Sequence, residues 1–219
     1  MSWILATAGG KDATLALHRA RAEGLHVRWG LNVFEGNTEL VRFHGTPRSL
    51  LEAHLRTLEL EPLLGRTHPR GFEEVFLELL ERGRTRGARG ILFGNLHLTD
   101  IRDWYRERVE GTGMEHREPI WGTDPARVVR EVVDLGYRAT ITSVNLELGD
   151  PAWLGRELTS ELLDDFVSRG IDPAGERGEY HTFVSGGPGF SESVPFRVTG
   201  RDKREGHLFL RLEGAGDDV

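Results

Sequence analysis

The 219-residue sequence contains no cysteine. Disulfides, thiolate metal sites and thiol nucleophiles are therefore excluded. It also lacks an apolar run near the roughly 20 residues that a membrane-spanning helix needs, and no basic segment precedes the apolar residues at its start. We therefore predict a cytoplasmic protein without membrane contact, whose first apolar residues form a buried strand and not a signal peptide.

Lysine is scarce, since only Lys11 and Lys203 are lysines among the 28 basic residues. A coding bias toward arginine, or adaptation to heat, accounts for this scarcity. The formal net charge of −7 argues against a broad nucleic-acid-binding surface, although it leaves room for a local basic groove. The length and the 38% of hydrophobic residues suit a globular protein with one large or two small domains.

Strand-like and helix-like segments alternate over residues 1–123. This alternation predicts an α/β fold with a Rossmann-like, doubly wound parallel sheet covered by helices. The predicted strands are residues 3–7, 27–34, 40–43, 62–64, 90–94 and 119–121. The predicted helices are residues 11–23, 47–60, 72–86 and 99–111.

The character of the sequence changes near residue 123, where we place a boundary. Residues 1–123 are predicted to be a nucleotide-binding domain, and residues 124–219 a smaller α/β domain. In the second part we predict helices at 124–135 and 158–169 and strands at 137–144, 193–199 and 207–212, the last two forming a hairpin. Residues 175–190 are predicted to be a glycine-rich loop and residues 214–219 a polar tail.

The first candidate site is the segment between the first strand and the first helix, which reads Thr7-Ala8-Gly9-Gly10-Lys11-Asp12. Its two glycines let the backbone approach an anion closely, and the following helix points its first amides at that anion. Lys11 adds a positive charge, and Asp12 is a candidate to hold Mg²⁺ or to orient the loop. The alternative is a plain strand-to-helix turn in which Asp12 favours the helix dipole.

The second candidate site follows the predicted strand at residues 90–94. Gly94 closes this strand at its carboxyl end, which is where doubly wound sheets bind ligands. Asn95, His97 and Asp100 then place polar groups at the same edge. The alternative is a capped helix with no ligand.

The third candidate site is the segment at residues 172–184, which is too polar for a core and too aromatic for a linker. Long ordered loops of this kind are commonly functional. Glu179 and His181 are two residues apart, so extended backbone would turn both toward one ligand and bury Tyr180 on the other side. The alternative is a structural loop anchored by Tyr180 and Phe183.

Residues 9–12 resemble the Ser-Gly-Gly-Lys-Asp-Ser loop of the PP-loop ATP pyrophosphatases. Those enzymes cleave ATP to AMP and pyrophosphate while they adenylate a substrate oxygen. In this chain the two flanking serines are Ala8 and Ala13, with Thr7 and Thr14 one residue away.

The three segments together resemble the diphthine–ammonia ligase family, in the same order over residues 3–190. The most specific part is the pattern Gly-Glu-x-Gly-Glu-(Tyr/Phe)-x-Thr, which stands at residues 175–182. His181 replaces the glutamate of the branch that amidates diphthine, as in the bacterial branch, for which amidation of a cobalamin precursor has been proposed. Ala174 and Asn95 replace a cysteine and an aspartate of the family pattern.

The resemblance implies an ATP-dependent, AMP-forming ligase that joins ammonia to a carboxylate. The implied catalytic residues are Lys11, Asp12, Glu179 and His181. ATP would be bound, with Mg²⁺ on Asp12, by Thr7, Ala8, Gly9, Gly10, Lys11, Asp12, Gly94 and Asn95. The substrate would be bound by Glu176, Gly178, Glu179, His181 and Thr182.

The expected partners are a small-molecule or protein carboxylate and ammonia, either free or delivered by another protein, because no cysteine is present for a glutaminase. No nucleic acid is expected, and a homodimer stays open. Two other functions also stay open. Ala8 and Ala13 favour a non-catalytic ATP or AMP sensor, whereas the missing cysteine and basic patch weigh against a carbonyl-adenylating enzyme of tRNA thiolation.

Overall fold

A parallel sheet of five strands forms the N-terminal half of the chain, in a computed structural model that describes residues 1–67 and 70–214. The order of the strands across the sheet is β3-β2-β1-β4-β5, with all neighbours parallel. The strands are β1 (Ser2–Ala6), β2 (Val27–Phe34), β3 (Glu61–Arg66), β4 (Ala88–Leu92) and β5 (Glu115–Arg117).

Four helices cover both faces of this sheet, because alternate residues of each strand are apolar on opposite sides. They are α1 (Lys11–Ala22), α2 (Arg48–Thr57), α3 (Phe72–Thr85) and α4 (Thr99–Gly111). Trp3 and Leu5 of β1 pack in one apolar cluster with α1 and α2. Ile4 belongs to a second cluster with α3 and α4. The predicted doubly wound α/β fold is confirmed.

A smaller antiparallel sheet forms the C-terminal half, in the order β7-β6-β9-β8. Helices and a short 3-10 turn pack against it. The elements are α5 (Pro125–Asp134), β6 (Ala139–Asn145), the 3-10 turn Pro151–Trp153, α6 (Ser160–Ser168), β7 (Tyr180–Val184), β8 (Phe196–Arg204) and β9 (His207–Gly214).

The two halves share one apolar core. Leu15 and Ala16 of α1 are fully buried in the same cluster as Ile141 and Phe183 of the smaller sheet. The backbone also joins the halves, because the amide of Val184 donates to the carbonyl oxygen of Gly9 over 2.8 Å. The domain boundary at residue 123 therefore stays a prediction. The apolar packing continues across it.

Two strands of the sequence-based prediction are wrong. Residues 40–43 form only an isolated bridge at Leu40 followed by a turn, in which Phe43 has a φ of 64° that a strand does not allow. Residues 119–121 also form a turn, and the chain returns to the sheet earlier, at β5.

The loop predicted at residues 175–190 is also wrong in part, because it contains β7. β7 pairs with β6 and is buried, although it is only five residues long and lies between glycine-rich turns. The hairpin around residues 203–206 is confirmed, but β8 begins at Phe196, later than predicted. Residues 215–219 of the predicted tail lie outside the described residues. No described helix is long and apolar enough to cross a membrane.

Candidate active site

In the loop between β1 and α1, the backbone can approach neighbouring groups closely at the start of the helix. Gly9 has a φ of 78°, a conformation that favours glycine. A Cβ atom at Gly10 would come within 2.9 Å of His44 Cε1. The hydroxyl of Thr7 accepts a hydrogen bond from the Gly9 amide (2.9 Å), and α1 begins without a side-chain cap. The amide of Lys11 is bonded to the hydroxyl of Thr182, and the later amides of the first turn are oriented toward any anion at this point.

Gly94 brings the carboxyl end of β4 against the first turn of α1. A Cβ atom at this position would lie 2.6 Å from the amide nitrogen of Ala13 and from the carbonyl carbon of Asp12. The next residue, Asn95, donates from Nδ2 to Glu118 Oε1 over 2.7 Å. Glycine is needed here because any side chain would separate the two loops that form the edge of the site.

A cleft of about 620 Å³ opens at this edge. Its volume is in the range of sites for small molecules and cofactors. The predicted nucleotide-binding residues that line it are Thr7, Ala8, Gly10, Asp12, Gly94 and Asn95. Aromatic walls face them, including Phe34, Phe43, Phe76 and Tyr105. These residues lie together at one sheet edge, while Gly9 and Lys11, which were also predicted to bind the nucleotide, do not line the cleft. The role of all of them in binding stays a prediction.

Asn32 and His44 are among the cleft residues that the sequence-based prediction did not name. Asn32, at the carboxyl end of β2, donates from Nδ2 to the carbonyl oxygen of Thr7 (2.8 Å), and its buried Oδ1 has no partner. A polar residue inside an apolar strand is a signal that could have identified it. His44 ends the turn that follows Val41, one residue after the segment predicted as a strand, and no sequence pattern indicates its position.

A smaller cavity of about 180 Å³ lies on the other side of Asp12. It is lined by Lys11, Asp12, His44, Ala174, Gly175, Glu176, Tyr180, His181 and Thr182. Asp12, His44 and His181 also line the large cleft, so the two spaces adjoin. The structure thus brings the first and third predicted sites together around one small cavity.

The ammonium group of Lys11 points into the smaller cavity. The residue is 2% exposed. Its Nζ donates to Asp12 Oδ2 (2.8 Å) and to the carbonyl oxygen of Ala174, and it lies 5.1 Å from the centre of the Tyr180 ring. The Lys11 backbone amide donates to the hydroxyl of Thr182 over 3.1 Å. Lys11 therefore links the glycine loop to the C-terminal half.

Asp12 has one carboxylate oxygen in use and one free. Oδ2 accepts from Lys11, whereas the buried Oδ1 has no partner. Burial raises the pKa of Asp12, and the charge of Lys11 opposes that rise. The described residues contain no group of three or more side chains that could hold a metal by themselves. The free oxygen suits Mg²⁺ that arrives with nucleotide phosphates, because Mg²⁺ commonly uses one or two carboxylates together with phosphates and water.

The carboxyl group of Glu176 lines the small cavity and has a raised pKa. Its Oε2 accepts from the backbone amide of Leu96 over 3.2 Å. Burial, followed by the charge of Asp12, raises its pKa to about 7, and Lys11 acts in the opposite direction. A group with this pKa can both accept and release a proton near neutral pH.

Glu179 lies apart from the cavity, so the expectation that it faces a ligand together with His181 is wrong. It is 4% exposed, and its two oxygens accept from the backbone amides of Asp172 (3.2 Å) and Arg177 (3.1 Å). The strand begins one residue later, at Tyr180, so the alternation of an extended chain does not include Glu179. Its contacts hold the loop at residues 172–178 in place.

The other predicted substrate-side residues differ in position. The ring of Tyr180 is buried, as expected, with 1% exposure. His181 lines both spaces, and its ring centre is 4.6 Å from that of His44. Burial lowers the pKa of His181 well below its ordinary value, so the ring is neutral near pH 7. Gly178 has a φ of 92° and donates its amide to Gly175 within the loop.

A parallel sheet with a glycine loop and an uncapped helix after its central strand defines an α/β protein of the PP-loop ATPase type. The chain matches the family description "Diphthamide synthase N-terminal domain" over residues 1–116 and "Diphthamide synthase C-terminal domain" over residues 124–208. It therefore belongs to the diphthamide synthase family, as the diphthine–ammonia ligase resemblance predicted. No curated protein matches the chain. Membership supports an ATP-using, diphthine–ammonia ligase-like function.

Proposed function

We propose that this protein is a cytoplasmic ligase that uses ATP to join ammonia to a carboxylate, with AMP and pyrophosphate as products. The observation that supports this most is the pair of adjoining spaces at the sheet edge. The cleft of about 620 Å³ is large enough for a nucleotide, and the cavity of about 180 Å³ suits a small reactant. Asp12 and His181 line both, so the nucleotide and the small reactant would meet there.

In this proposal the phosphates of ATP lie at the start of α1. The glycine loop and the uncapped amides contact them, and Lys11 offsets their charge. Mg²⁺, held through Asp12 Oδ1, would help to neutralise the departing pyrophosphate. The turn at Gly94 and Asn95 closes the other side of the cleft.

The proposed reaction has two steps. An oxygen of the substrate carboxylate attacks the α-phosphorus of ATP, and the bond from that phosphorus to pyrophosphate breaks. Ammonia then attacks the acyl carbon of the adenylate, the bond to AMP breaks, and the nitrogen loses a proton. Glu176 is better suited than His181 to receive this proton, because its pKa of about 7 lies near the working pH while that of His181 is low.

The products provide the test. The protein is incubated with ATP, Mg²⁺, ¹⁵N-ammonium and a panel of carboxylates, including diphthine-bearing elongation factor and cobalamin-type acids. We expect AMP and pyrophosphate in equal amounts and ¹⁵N in an amide, detected by mass spectrometry. Lys203→Ala, which changes an exposed lysine remote from the site, should react at the same rate. Release of ADP and phosphate would exclude the adenylation mechanism.

A second candidate is a nucleotide sensor without catalysis. Ala8 and Ala13 favour it, because they stand where the PP-loop pattern has serine hydroxyls beside the phosphates. ATP binding in calorimetry, with no AMP formed from any carboxylate in the panel, would support the sensor over the ligase.

A further inference from the structure

The Nζ group of Lys11 lies in surroundings that would equally suit a free ammonium ion. A carbonyl oxygen (Ala174), a carboxylate oxygen (Asp12) and the ring of Tyr180 contact it. Carbonyl and carboxylate oxygens accept the N–H donors of an ammonium group, and an aromatic face attracts its charge. We call these three groups, together with Glu176 in the cavity wall, the ammonium cage.

Several carboxylates lie near the cage. Burial raises the pKa of Tyr180 well above its ordinary value, and the charges of nearby carboxylates raise it further. The carboxylates that act on the ring are Asp12, Asp172, Glu179 and Glu176. Among the residues that line the cavity, Lys11 supplies the permanent positive charge. If its Nζ left, Asp12 and Glu176, the two carboxylates that line the cavity, would face it without that cation, and another cation would be attracted.

In the proposed function Lys11 also offsets the charge of the ATP phosphates. Its single Nζ cannot contact the phosphates and fill the cage at the same time. We propose that the Nζ group of Lys11 occupies a binding site for an ammonium ion, and that nucleotide binding draws Lys11 toward the phosphates and opens the cage to that ion. The second half of this inference rests on the proposed function; the first does not. Nucleotide would then bind before ammonium.

The dimensions of the cavity agree with this exchange. Its volume of about 180 Å³ exceeds the share of about 30 Å³ that one water-sized molecule takes in a liquid. An ammonium ion would fit in place of Nζ, with room left toward His181 and the cleft for an acyl group.

The first half is tested without nucleotide. Lys11→Ala removes the occupant and leaves the cage empty, whereas Lys11→Met fills the same space without a charge. In thermal unfolding, ammonium chloride should raise the midpoint of Lys11→Ala by about 3 °C over sodium chloride of equal strength once it exceeds the dissociation constant tenfold. Wild type, Lys203→Ala and Lys11→Met should show no such difference.

Two results would contradict the proposal that the cage binds an ammonium ion. One is the absence of an ammonium-specific shift in folded Lys11→Ala. The other is an equal shift with Lys11→Met, or with potassium chloride, which would show a general cation effect and no ammonium site. Circular dichroism first establishes that both variants are folded.

A second experiment uses the wild-type protein and does not depend on the variants. ¹⁵N-ammonium is titrated into the apoprotein and into its complex with α,β-methylene-ATP, and line broadening reports binding. We expect at least tenfold tighter ammonium binding in the complex. Equal binding in both forms would overturn the exchange. A positive result in Lys11→Ala with no AMP formed in the product assay would leave the ammonium cage standing while the ligase function failed.

Discussion

The carboxyl group of Glu176 makes the stability of the protein depend on pH. Its pKa is about 7 in the folded chain, against an ordinary 4.5. Between these values the folded state holds a proton that the unfolded state has lost, so the free energy of unfolding falls as the pH rises. Glu176→Gln, which copies the protonated form, should therefore be more stable than wild type at pH 8, by up to about 3 kcal/mol.

Urea unfolding at pH 4.5 and at pH 8 measures this effect. The two proteins should have nearly equal free energies of unfolding at pH 4.5, where both carry a neutral side chain. Glu192→Gln, at an exposed position, is the control and should not change the pH dependence. A variant less stable than wild type at pH 8 would contradict the raised pKa.

We expect Glu179 to stabilise the loop at residues 172–178. Glu179→Gln replaces one accepting oxygen with a donor, which leaves the amide of Asp172 or Arg177 without a partner. We expect a loss of about 1 to 3 kcal/mol in the free energy of unfolding, with ammonium and substrate affinity reduced more than ATP affinity. If turnover fell sharply while stability was unchanged, the carboxylate would act chemically, as the catalytic role predicted from the sequence requires.

Single residues differ in how far the sequence reveals them. The loop at residues 7–12 was predictable because two glycines and a lysine before a helix have few structural reasons to occur together. The direction of the Lys11 side chain was not, since it depends on Ala174 and Tyr180, which are far away in the sequence. Glu179 was misjudged because alternation was applied one residue before the strand begins.

Among the structural elements, the contact between the β4–α4 turn and α1 controls the width of the cleft. Gly94→Ala would place a methyl group 2.6 Å from the α1 backbone and force the turn away. We expect a loss of about 1 to 3 kcal/mol of stability and at least tenfold weaker ATP binding, measured by urea unfolding and calorimetry. Gly111→Ala is the matched control, because no atom lies within 4 Å of its new Cβ. Equal ATP affinity in both variants would remove Gly94 from the nucleotide site.

The helices and the inner strands β1, β2 and β4 of the parallel sheet were largely predictable because their apolar residues recur at regular spacing. β5 reads Glu-His-Arg, has no apolar residue and was missed. β7 was missed because five residues between glycine turns carry too little periodic signal, and pairing with β6 decides its conformation. The strand predicted at residues 40–43 was wrong because apolar residues there indicated a strand, whereas they pack against the core from a turn.

At the scale of the whole molecule, the shared core predicts that the two halves unfold together. Leu15 and Ala16 of α1 are buried against the smaller sheet, so separation of the halves would expose apolar side chains of both. Differential scanning calorimetry should show one endotherm for the chain. A fragment of residues 1–123 should bind hydrophobic dyes and unfold without a sharp transition. Two separated endotherms, or a cooperative fragment, would contradict this.

The outer strand of the smaller sheet bears on colloidal behaviour. Among the described strands, β8 pairs only with β9, which leaves a row of backbone groups where a further strand could add. It carries Arg201, Asp202 and Lys203 in succession, and its register shifts between Val198 and Gly200. Charges and irregular register at an edge oppose stacking of identical chains into fibrils. A concentrated stock of this protein is thus protected against edge-to-edge aggregation at this strand.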